Sequence, residues 1–302
     1  MMARMREPAS LPFEKWQGAG NDFVLADALA DGPWREIASD PGWLARQAIA
    51  ACDRHFGVGA DGLLLAVHDA DGAIAMRMLN PDGTESEMCG NGLRCFGAWL
   101  HARGVLAPGA HPIVTGAGSL TVHVAPDGSV SVNMGRPRLL APEIPVVGAT
   151  GRADGTTTVA LPGWDGKLLE ATCVSMGNPH AVVFVTDVSS VPLEEVGPVL
   201  ERHPAFPHRT NVEFCEVVGP DRLRVRVWER GAGATLACGT GACASLVAAR
   251  LRAFVRPEVS IELPGGVLLA TWHGGPHDVR HDVMLAGPTA MVFSGTWLAL
   301  EA

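Results

Sequence analysis

The sequence from Trp228 to Leu246 reads WERGAGATLACGTGACASL and decides the fold. It begins at the end of a β-branched and charged run that predicts a strand, continues as a loop of small residues, and reaches Cys238 followed by helix-forming apolar residues. A similar order occurs 149 residues earlier, where Cys89 opens a second small and apolar run. The two stretches predict one thiol at a helix start in each half of the chain, and we expect the two thiols to face each other.

The size and composition are those of a two-domain globular enzyme. The chain has 302 residues, of which 47% are hydrophobic and 18% are charged, and this length favours two domains over one. A formal net charge of −9 and the lack of a run rich in Lys and Arg argue against sequence-independent binding to nucleic acid or to an anionic membrane. We therefore expect a small-molecule substrate, with no nucleic acid and no membrane as partners.

The N-terminal residues and the cysteines predict a cytoplasmic location. Residues 1–10 are basic but run into Pro8 and Pro12 without an apolar core of signal-peptide length. No later segment keeps about 18 apolar residues free of charge, as a membrane-spanning helix requires. Seven cysteines are an odd number, are scattered, and lie in a chain long enough to need no disulfides, so we expect thiols in a reducing compartment.

The order of strands and helices predicts an α+β architecture. Strands are predicted at residues 13–16, 23–28, 63–68, 73–79, within 113–133, and at 156–161, 168–175, 181–186, 211–218, 223–228, 259–263, 267–272, 282–286 and 290–293. Helices are predicted at residues 43–55, 93–103 and 191–203, and directly after Cys238. Both Cys-headed helices carry little polarity on any side, so we expect each to be buried within its domain. Each half is therefore interpreted as a curled, mainly antiparallel sheet wrapped round a central helix.

Two glycine-containing stretches are interpreted as turns. Residues 18–22, GAGND, lie between two predicted strands, and their glycines and Asn tolerate positive φ. Residues 57–62, GVGADG, match the dinucleotide fingerprint G-x-G-x-x-G. A dinucleotide loop needs a strand before it and a helix after it, whereas here the predicted helix comes first. We therefore interpret residues 57–62 as a helix-to-strand turn.

The paired helix starts indicate acid and base chemistry. A helix that begins just after a thiol presents unpaired N–H groups and a positive dipole end to the sulfur, so we expect the thiol pKa to fall toward neutrality. The same N–H groups can hold a carboxylate. With two such sites, a thiolate can remove the α-proton from one face of a stereocentre while a thiol delivers a proton to the other. This two-base epimerisation demands no cofactor.

A metal site is the main structural alternative for these cysteines. Cys95 and Cys243 follow the two helix starts, but neither pair has the C-x2-C spacing of structural zinc sites. At about 100° per residue, Cys95 lies about 240° from Cys89 and Cys243 about 140° from Cys238, so neither pair shares a helix face. We therefore expect no metal site and interpret Cys95 and Cys243 as core residues.

Several motifs together resemble the diaminopimelate epimerase family, whose members interconvert LL- and meso-diaminopimelate without a cofactor. The matching segments, in family order, are GAGNDF at residues 18–23, NPDG at 80–83, MCGNG at 88–92, MGNPH at 176–180, TN at 210–211, ERGAG at 229–233 and ACGTG at 237–241. The resemblance implies two pseudo-symmetric halves with the site in the cleft between them. On this basis we assign residues 1–132 with 280–302 to the first half and residues 133–279 to the second.

The resemblance also implies a role for individual residues. Cys89 and Cys238 would be the acid and base pair, and His180 and Glu229 would tune the pKa values of the thiols. Substrate would be held by Asn21, Asn80, Gly90, Asn91, Asn178, Asn211, Glu229, Arg230, Gly239 and Thr240. Diaminopimelate as substrate, lysine and cell-wall precursor biosynthesis as context, and a homodimer follow from the same resemblance. Arg230 can pair a carboxylate through two hydrogen bonds and Glu229 can pair an ammonium group, which suits a substrate charged at both ends.

One position departs from the family pattern, and other functions stay open. Some members carry Gln where this chain has Gly62, so the contribution of that side chain to the site is missing or is replaced by backbone or water. Residues 31–40 and 273–281 match no family motif and receive no role. A proline or hydroxyproline racemase, a thiol redox or Cys-nucleophile protein, a non-catalytic amino-acid binder and a pyridoxal enzyme remain alternatives. Asn91, where proline racemases tend to carry His, and the Glu229-Arg230 pair count against the first of these.

Overall fold

The computed structural model of the protein describes residues 10–151, 156–276 and 278–298. Residues 1–9, which were interpreted as lacking a signal peptide, lie outside the described residues. The same holds for the two chain ends assigned to the first half and for His277. Two compact units are present, Met1–Val130 with Thr289–Ala302 and Ser131–Pro288. They are called the first and the second unit below, and the domain limits inferred from the sequence stay a prediction.

The first unit is built on a mixed sheet. Its elements are β1 (Ser10–Gly18), β2 (Asn21–Asp27), α1 (Pro33–Ala38), α2 (Pro41–Cys52), β3 (Gly62–His68), β4 (Ile74–Leu79), β5 (Glu85–Ser86), α3 (Gly90–Ala102), β6 (Gly109–Thr115) and β7 (Gly118–Val124). Strand β1 is antiparallel to β2, β2 is parallel to β3, and β3 is antiparallel to β4. Strand β4 is antiparallel to β5 and parallel to β6, which is antiparallel to β7. Most of these pairings are antiparallel, as predicted.

The second unit follows along the chain. Its elements are β8 (Val130–Asn133), β9 (Thr150–Gly151), β10 (Thr157–Pro162), β11 (Leu168–Ser175), β12 (Pro179–Val185), α4 (Leu193–Glu201), β13 (Asn211–Gly219), β14 (Arg222–Glu229), β15 (Gly233–Thr235), α5 (Gly239–Leu251), β16 (Glu258–Leu263), β17 (Gly266–Thr271) and β18 (Met284–Ala286). Strand β18 pairs with β8 and β17 within this unit. The last strand, β19 (Ala290–Leu298), belongs to the first unit and pairs antiparallel with β1.

The second unit repeats the strand pairings of the first. Strand β11 is antiparallel to β12, β12 is parallel to β13, β13 is antiparallel to β14, and β14 is antiparallel to β15 and parallel to β16. The register repeats as well, because Phe23 lies opposite Gly62 in the first unit as His180 lies opposite Asn211 in the second. From Gly62 to Cys89 in the first unit and from Asn211 to Cys238 in the second, the two units correspond residue for residue at an offset of 149 residues. This correspondence allows buried positions to be compared between the units.

Each unit encloses its Cys-headed helix, as predicted. In α3 every residue from Gly90 to Leu100 is buried, and α5 is buried along nearly its whole length. Helix α3 contacts β1, β2 and β7, and α5 contacts β11, β12, β13 and β17. The small and apolar residues of these helices allow close packing on all sides, which an amphipathic helix would not tolerate.

The structure also shows where the sequence interpretation was incomplete. The turn at residues 57–62 connects α2 to β3, which confirms the helix-to-strand interpretation. Residues 31–40, which received no role, contain α1, whose Trp34 and Ile37 are buried. In the turn after β1, Ala19 and Gly20 take positive φ, at 52° and 82°, whereas Asn21 already belongs to β2. The expectation that Asn21 takes a positive φ in the turn was wrong, because Asn21 pairs with Gly18 as the first residue of β2.

Close packing of α3 on the sheet gives a first prediction. A Cβ on Gly97 would lie 2.6 Å from Val122 Cγ1, so Gly97→Ala should lower the free energy of unfolding by about 1–3 kcal/mol. Gly42→Ala, in α2, is the matched control, because the nearest atom to its Cβ would be 3.4 Å away. Urea unfolding should show the control unchanged or slightly stabilised. Equal stability of the two variants would contradict this account of the packing.

Candidate active site

Cys89 is the N-cap of α3. Its backbone is extended, with φ −138° and ψ 118°, and its Sγ accepts a hydrogen bond from the Gly92 backbone N–H at 3.4 Å. This is the position at which Ser or Asp usually caps a helix, with sulfur in place of oxygen. A Cβ on Gly92 would lie 3.4 Å from the Cys89 Cβ, so glycine leaves room beside the thiol. The sulfur therefore lies among the unpaired N–H groups of the first turn.

A carboxylate sets the direction of the amide beside Cys89. The thiol donates to Asn21 Oδ1 at 3.6 Å, and the Asn91 amide donates to the same oxygen at 3.4 Å. Asn21 Nδ2 donates to Asp61 Oδ2 at 2.5 Å. Because a carboxylate accepts hydrogen bonds, it holds the amide NH2 of Asn21 and leaves the amide oxygen facing the thiol. The structure thus brings together three predicted residues and adds Asp61, which the sequence analysis missed.

Asp61 belongs to a wider ionic group. Arg54 pairs with Asp61 at 2.7 Å and with Asp22 at 2.8 Å, and the buried Lys15 pairs with Asp22 at 2.7 Å. Lys15 also donates to the Gly59 carbonyl. Burial alone would raise the pKa of Asp22, but hydrogen bonds from Arg54 and Lys15 outweigh it and hold that pKa at about 2. Asp22 is therefore ionised at neutral pH.

Asn80 and Gly62 lie on neighbouring strands of the first unit. Asn80 follows β4 and donates through Nδ2 to Thr84 Oγ1 at 3.0 Å within the turn that leads to β5. A Cβ on Gly62 would lie 2.9 Å from the Leu79 carbonyl oxygen, so a side chain there requires the backbone to move. Some members of the family that the sequence resembles carry Gln at this position. In this chain β3 approaches β4 closely there, and residue 62 is Gly.

Cys238 caps α5 in the same way. Its φ and ψ are −117° and 114°, and its Sγ accepts from the Gly241 N–H at 3.3 Å. The Thr240 hydroxyl lies 3.4 Å from the same sulfur. Cys238 is buried, whereas Cys89 is partly exposed. The two predicted thiols thus share a helix-start geometry but differ in solvent access.

A line of hydrogen bonds extends away from Cys238. Asn178 Nδ2 donates to Thr240 Oγ1 at 3.3 Å, and Asn178 Oδ1 lies 2.9 Å from His180 Nε2. His180 Nδ1 lies 2.7 Å from Glu213 Oε1, and both of these side chains are fully buried. Three of these residues were predicted, and Glu213 was not. An acidic residue inside the apolar strand NVEFCEVV was the signal that could have identified it.

The carboxyl of Glu229 also lies beside Cys238. Thr235 donates to Glu229 Oε1 at 2.5 Å, and the negative charge of the same carboxyl raises the pKa of Cys238. Burial raises the pKa of Glu229, and hydrogen bonds from Thr235 and Cys238 offset part of that rise. The role of Glu229 in tuning the pKa of the thiol stays a prediction.

The expected fall in thiol pKa is wrong for Cys238. Burial raises its pKa well above the usual range of a thiol, and the negative charges of Glu229 and Glu213 raise it further. Hydrogen bonds from Thr240 and Gly241 act in the opposite direction but are weaker. The stabilisation at a helix N-terminus is commonly about 0.3–1 kcal/mol, which is less than the cost of desolvating a thiolate between two carboxylates. Cys238 is therefore a neutral thiol in the protein without substrate.

Two predicted binding residues differ in how available they are. Asn211 is buried, donates through Nδ2 to the Pro179 carbonyl at 2.9 Å, and accepts the Arg230 backbone N–H at 2.9 Å. Its amide thus holds the start of β13 to the start of β12 and to the turn after β14. The Arg230 guanidinium is exposed and donates to the His208 carbonyl at 3.3 Å. Arg230 is therefore the more accessible of the two for a ligand.

The remaining cysteines pack in the core. All seven cysteines lie in the described part of the chain and are thiols rather than disulfides. Burial raises the pKa of Cys95 to about 12, and Cys243 is fully buried in α5. Within residues 10–151, 156–276 and 278–298, no group of three or more His, Cys, Asp or Glu side chains is arranged to hold a metal ion. None of the helices in this part of the chain is long and apolar enough to cross a membrane.

Comparison with known proteins identifies close relatives. The family model described as diaminopimelate epimerase matches residues 13–140 and 172–291. Diaminopimelate epimerase 1 of Nostoc sp. is 47% identical over 289 residues, covering 95% of this chain and 99% of the relative. A diaminopimelate epimerase of Synechococcus sp. is 48% identical over 294 residues, covering 96% and 99%. The similarity thus extends over nearly the whole of each chain.

Solved structures of more distant proteins share the fold. A hydroxyproline epimerase from Agrobacterium vitis has a TM-score of 0.67 at 17% identity, covering 99% of this chain and 95% of that one. A phenazine biosynthesis protein of the PhzF family from Bacillus anthracis has a TM-score of 0.65 at 16% identity, covering 97% and 100%. These likenesses confirm the predicted α+β class with two similar halves.

The charges around Cys238 predict a measurable change in reactivity. Glu229→Gln removes one of the negative charges that raise the pKa of Cys238, so the thiolate fraction at a fixed pH should increase. We expect alkylation of Cys238 by iodoacetamide to be at least about threefold faster than in the wild type. Site-resolved mass spectrometry between about pH 8 and 10 measures the rate.

Glu216→Gln is the matched control for this measurement. Glu216 lies on β13 and pairs with Arg224 at 3.2 Å, so its charge is already compensated. Its substitution should leave the alkylation rate of Cys238 unchanged. The interpretation fails if both variants react at the wild-type rate.

Proposed function

Because the chain belongs to the diaminopimelate epimerase family and is thus an epimerase, we propose that it converts LL-diaminopimelate to meso-diaminopimelate with Cys89 and Cys238 as acid and base. One observation carries the mechanism. Both thiols cap a buried helix through a hydrogen bond from the third backbone N–H, at 3.4 Å and 3.3 Å. A protein that needed a single nucleophile would not require this arrangement twice.

The proposed reaction balances without an added reagent. The thiolate of one cysteine takes the α-hydrogen as a proton, and the electrons of the C–H bond pass into the α-carbon and its carboxylate. The neutral thiol of the other cysteine then donates its proton to the opposite face of that carbon. The product has the inverted configuration, and the two cysteines have exchanged protonation states, so the reverse reaction uses the same pair.

The helix starts supply the stabilisation that this intermediate needs. Deprotonation places extra negative charge on the α-carboxylate, and backbone N–H groups of Gly90 and Asn91 in one helix, and of Gly239 and Thr240 in the other, lie in the first helical turns. Donors at such positions are unpaired within the helix and are directed at an anion. A charge that develops only in the transition state is stabilised most by donors that are already in place.

The distal end of the substrate is proposed to contact charged and amide side chains. Arg230 is exposed and suits a carboxylate, and Glu229 suits an ammonium group. Further donors and acceptors come from the side chains of Asn21, Asn80, Asn178 and Asn211. The amide of Asn211 already forms hydrogen bonds to the backbone through both its nitrogen and its oxygen. An ammonium group beside Glu229 would also offset the negative charge that keeps the Cys238 pKa high.

The proposal includes no cofactor, because the two thiols provide both proton transfers. We further propose a cytoplasmic homodimer. Seven thiols without disulfides suit a reducing compartment. Strand β19 exposes four large apolar side chains, which a second copy can cover: Met291, Val292, Phe293 and Leu298. Sedimentation equilibrium tests the dimer.

Isotope incorporation tests the two-base mechanism. In D2O, LL-diaminopimelate should give meso product with one deuterium at the inverted carbon, while the remaining substrate initially keeps its hydrogen, because separate groups remove and donate the proton. Cys89→Ala and Cys238→Ala should each lower kcat for epimerisation by about 10²–10⁴-fold or more. Mass spectrometry and chiral chromatography measure the two effects.

Cys243→Ala is the matched control, because Cys243 lies on the same helix as Cys238 and is fully buried in the core. It should keep kcat within about threefold of the wild type. Activity that survives in both catalytic variants, or an immediate appearance of deuterium in the substrate pool, would rule out the two-thiol mechanism.

A further inference from the structure

The correspondence between the two units singles out one buried pair in the second unit. Phe23 and Leu64 are fully buried in the first unit, where they lie on the neighbouring parallel strands β2 and β3. The register places His180 at the position of Phe23, and Glu213 at the position of Leu64. Both polar side chains are also fully buried. Since the fold accepts an apolar pair at this place, the polar pair is not required for the fold itself, and burying it costs stability.

The carboxyl of Glu213 lies directly beneath the start of α5. A Cβ on Gly241 would lie 2.7 Å from Glu213 Oε1 and 3.3 Å from Cys238 Sγ, so only glycine leaves room for the carboxyl and the thiol together. In the first unit, a Cβ on Gly92 would lie 3.4 Å from Leu64 Cδ1. The second unit therefore replaces an apolar contact under the helix start with a carboxyl group.

The hydrogen-bond line from Glu213 to Cys238 has a defined direction. The side-chain oxygen of Asn178 only accepts, so His180 Nε2 must carry a proton and donate to it. The Asn178 NH2 group then faces Thr240, whose oxygen accepts, and the Thr240 hydroxyl hydrogen is left to donate to Cys238 Sγ. At the other end, one proton lies between His180 Nδ1 and Glu213 Oε1.

If the direction of these hydrogen bonds were reversed, the donors available to the Cys238 sulfur would change. If His180 carried a proton only on Nδ1, its Nε2 would accept from Asn178, and the Asn178 oxygen would accept from the hydroxyl of Thr240. That hydroxyl hydrogen would no longer be available to Cys238. The ring nitrogen of His180 that carries the proton thus decides whether the Cys238 thiolate receives one donor, from Gly241, or two.

We propose that Glu213 is a positioning residue for Cys238: together with His180 it orients the Asn178 amide so that the Thr240 hydroxyl donates to the sulfur. This inference rests on the proposed role of Cys238 as an acid and base. Glu213 touches neither the sulfur nor the substrate in this scheme. Besides the effect of its charge on the pKa of Cys238, it acts through three other side chains. Its effect should appear in the rate of proton transfer rather than in substrate binding.

Two substitutions at residue 213 test the proposal in the full-length enzyme. Glu213→Leu introduces the residue that the first unit carries at this place and removes the hydrogen bond to His180. We expect kcat to fall about 10- to 100-fold with KM changed less than about threefold. Glu213→Gln can still donate to His180 Nδ1, so it should recover kcat to within about threefold of the wild type.

Glu216→Gln, on the same strand, is the control and should keep the wild-type kcat. A purely structural role of Glu213 predicts instead that the Gln variant recovers no activity. Either that result or a wild-type kcat in Glu213→Leu would overturn the proposal. Loss of the proposed function has a different signature, because the wild type would then show no α-hydrogen exchange that depends on Cys238.

If Glu213→Leu does not fold, the direction of the hydrogen bonds can be tested on the wild type. The enzyme is labelled with ¹⁵N at histidine, and the His180 signal is assigned by its absence in His180→Gln. A protonated Nε2 in the resting enzyme, with the same state in Glu213→Gln, supports the orientation described here. An unprotonated Nε2 in the wild type would reverse the line of hydrogen bonds and overturn the proposal.

Discussion

The hydrogen bond from the third backbone N–H of a helix to a cysteine sulfur is the interaction on which each candidate site depends. It requires an extended cysteine before the helix and little side-chain volume in the first turn, which Gly92 and Gly241 provide. It also requires the helix to be held firmly, because a frayed end would move the donors. Burial of α3 and α5 within their sheets provides that support.

The two units place different surroundings on the same backbone plan. Beside Cys89, an ionic group anchors Asp61, which turns the Asn21 oxygen toward the thiol. Beside Cys238, the amide of Asn178 is turned the other way and its NH2 group faces Thr240. One sulfur thus meets an acceptor, and the other meets a hydroxyl that can donate. In both units a carboxyl group anchors the hydrogen bonds that determine how the amide is directed.

Burial has a larger effect on the Cys238 thiol than the helix does. Desolvation and two nearby carboxyl groups raise its pKa, although the helix start and Thr240 act against them. The resting thiol is therefore neutral and poorly nucleophilic, which protects it from oxidation and alkylation. A substrate that carries positive charge into the surroundings of Glu229 would remove part of this barrier.

The sequence by itself determined the α+β class, the longer helices, most of the longer strands, and the two thiols at helix starts, because small-residue loops followed by apolar helical runs are local patterns. It also determined the family, through short motifs in fixed order. Only the tertiary structure decided the surroundings of the thiols. Asp61 and Glu213 lie far along the chain from the cysteines that they influence, and the sign of the Cys238 pKa shift depends on burial and on charges brought from other strands. Such effects are set by distance in space, which residue spacing does not encode.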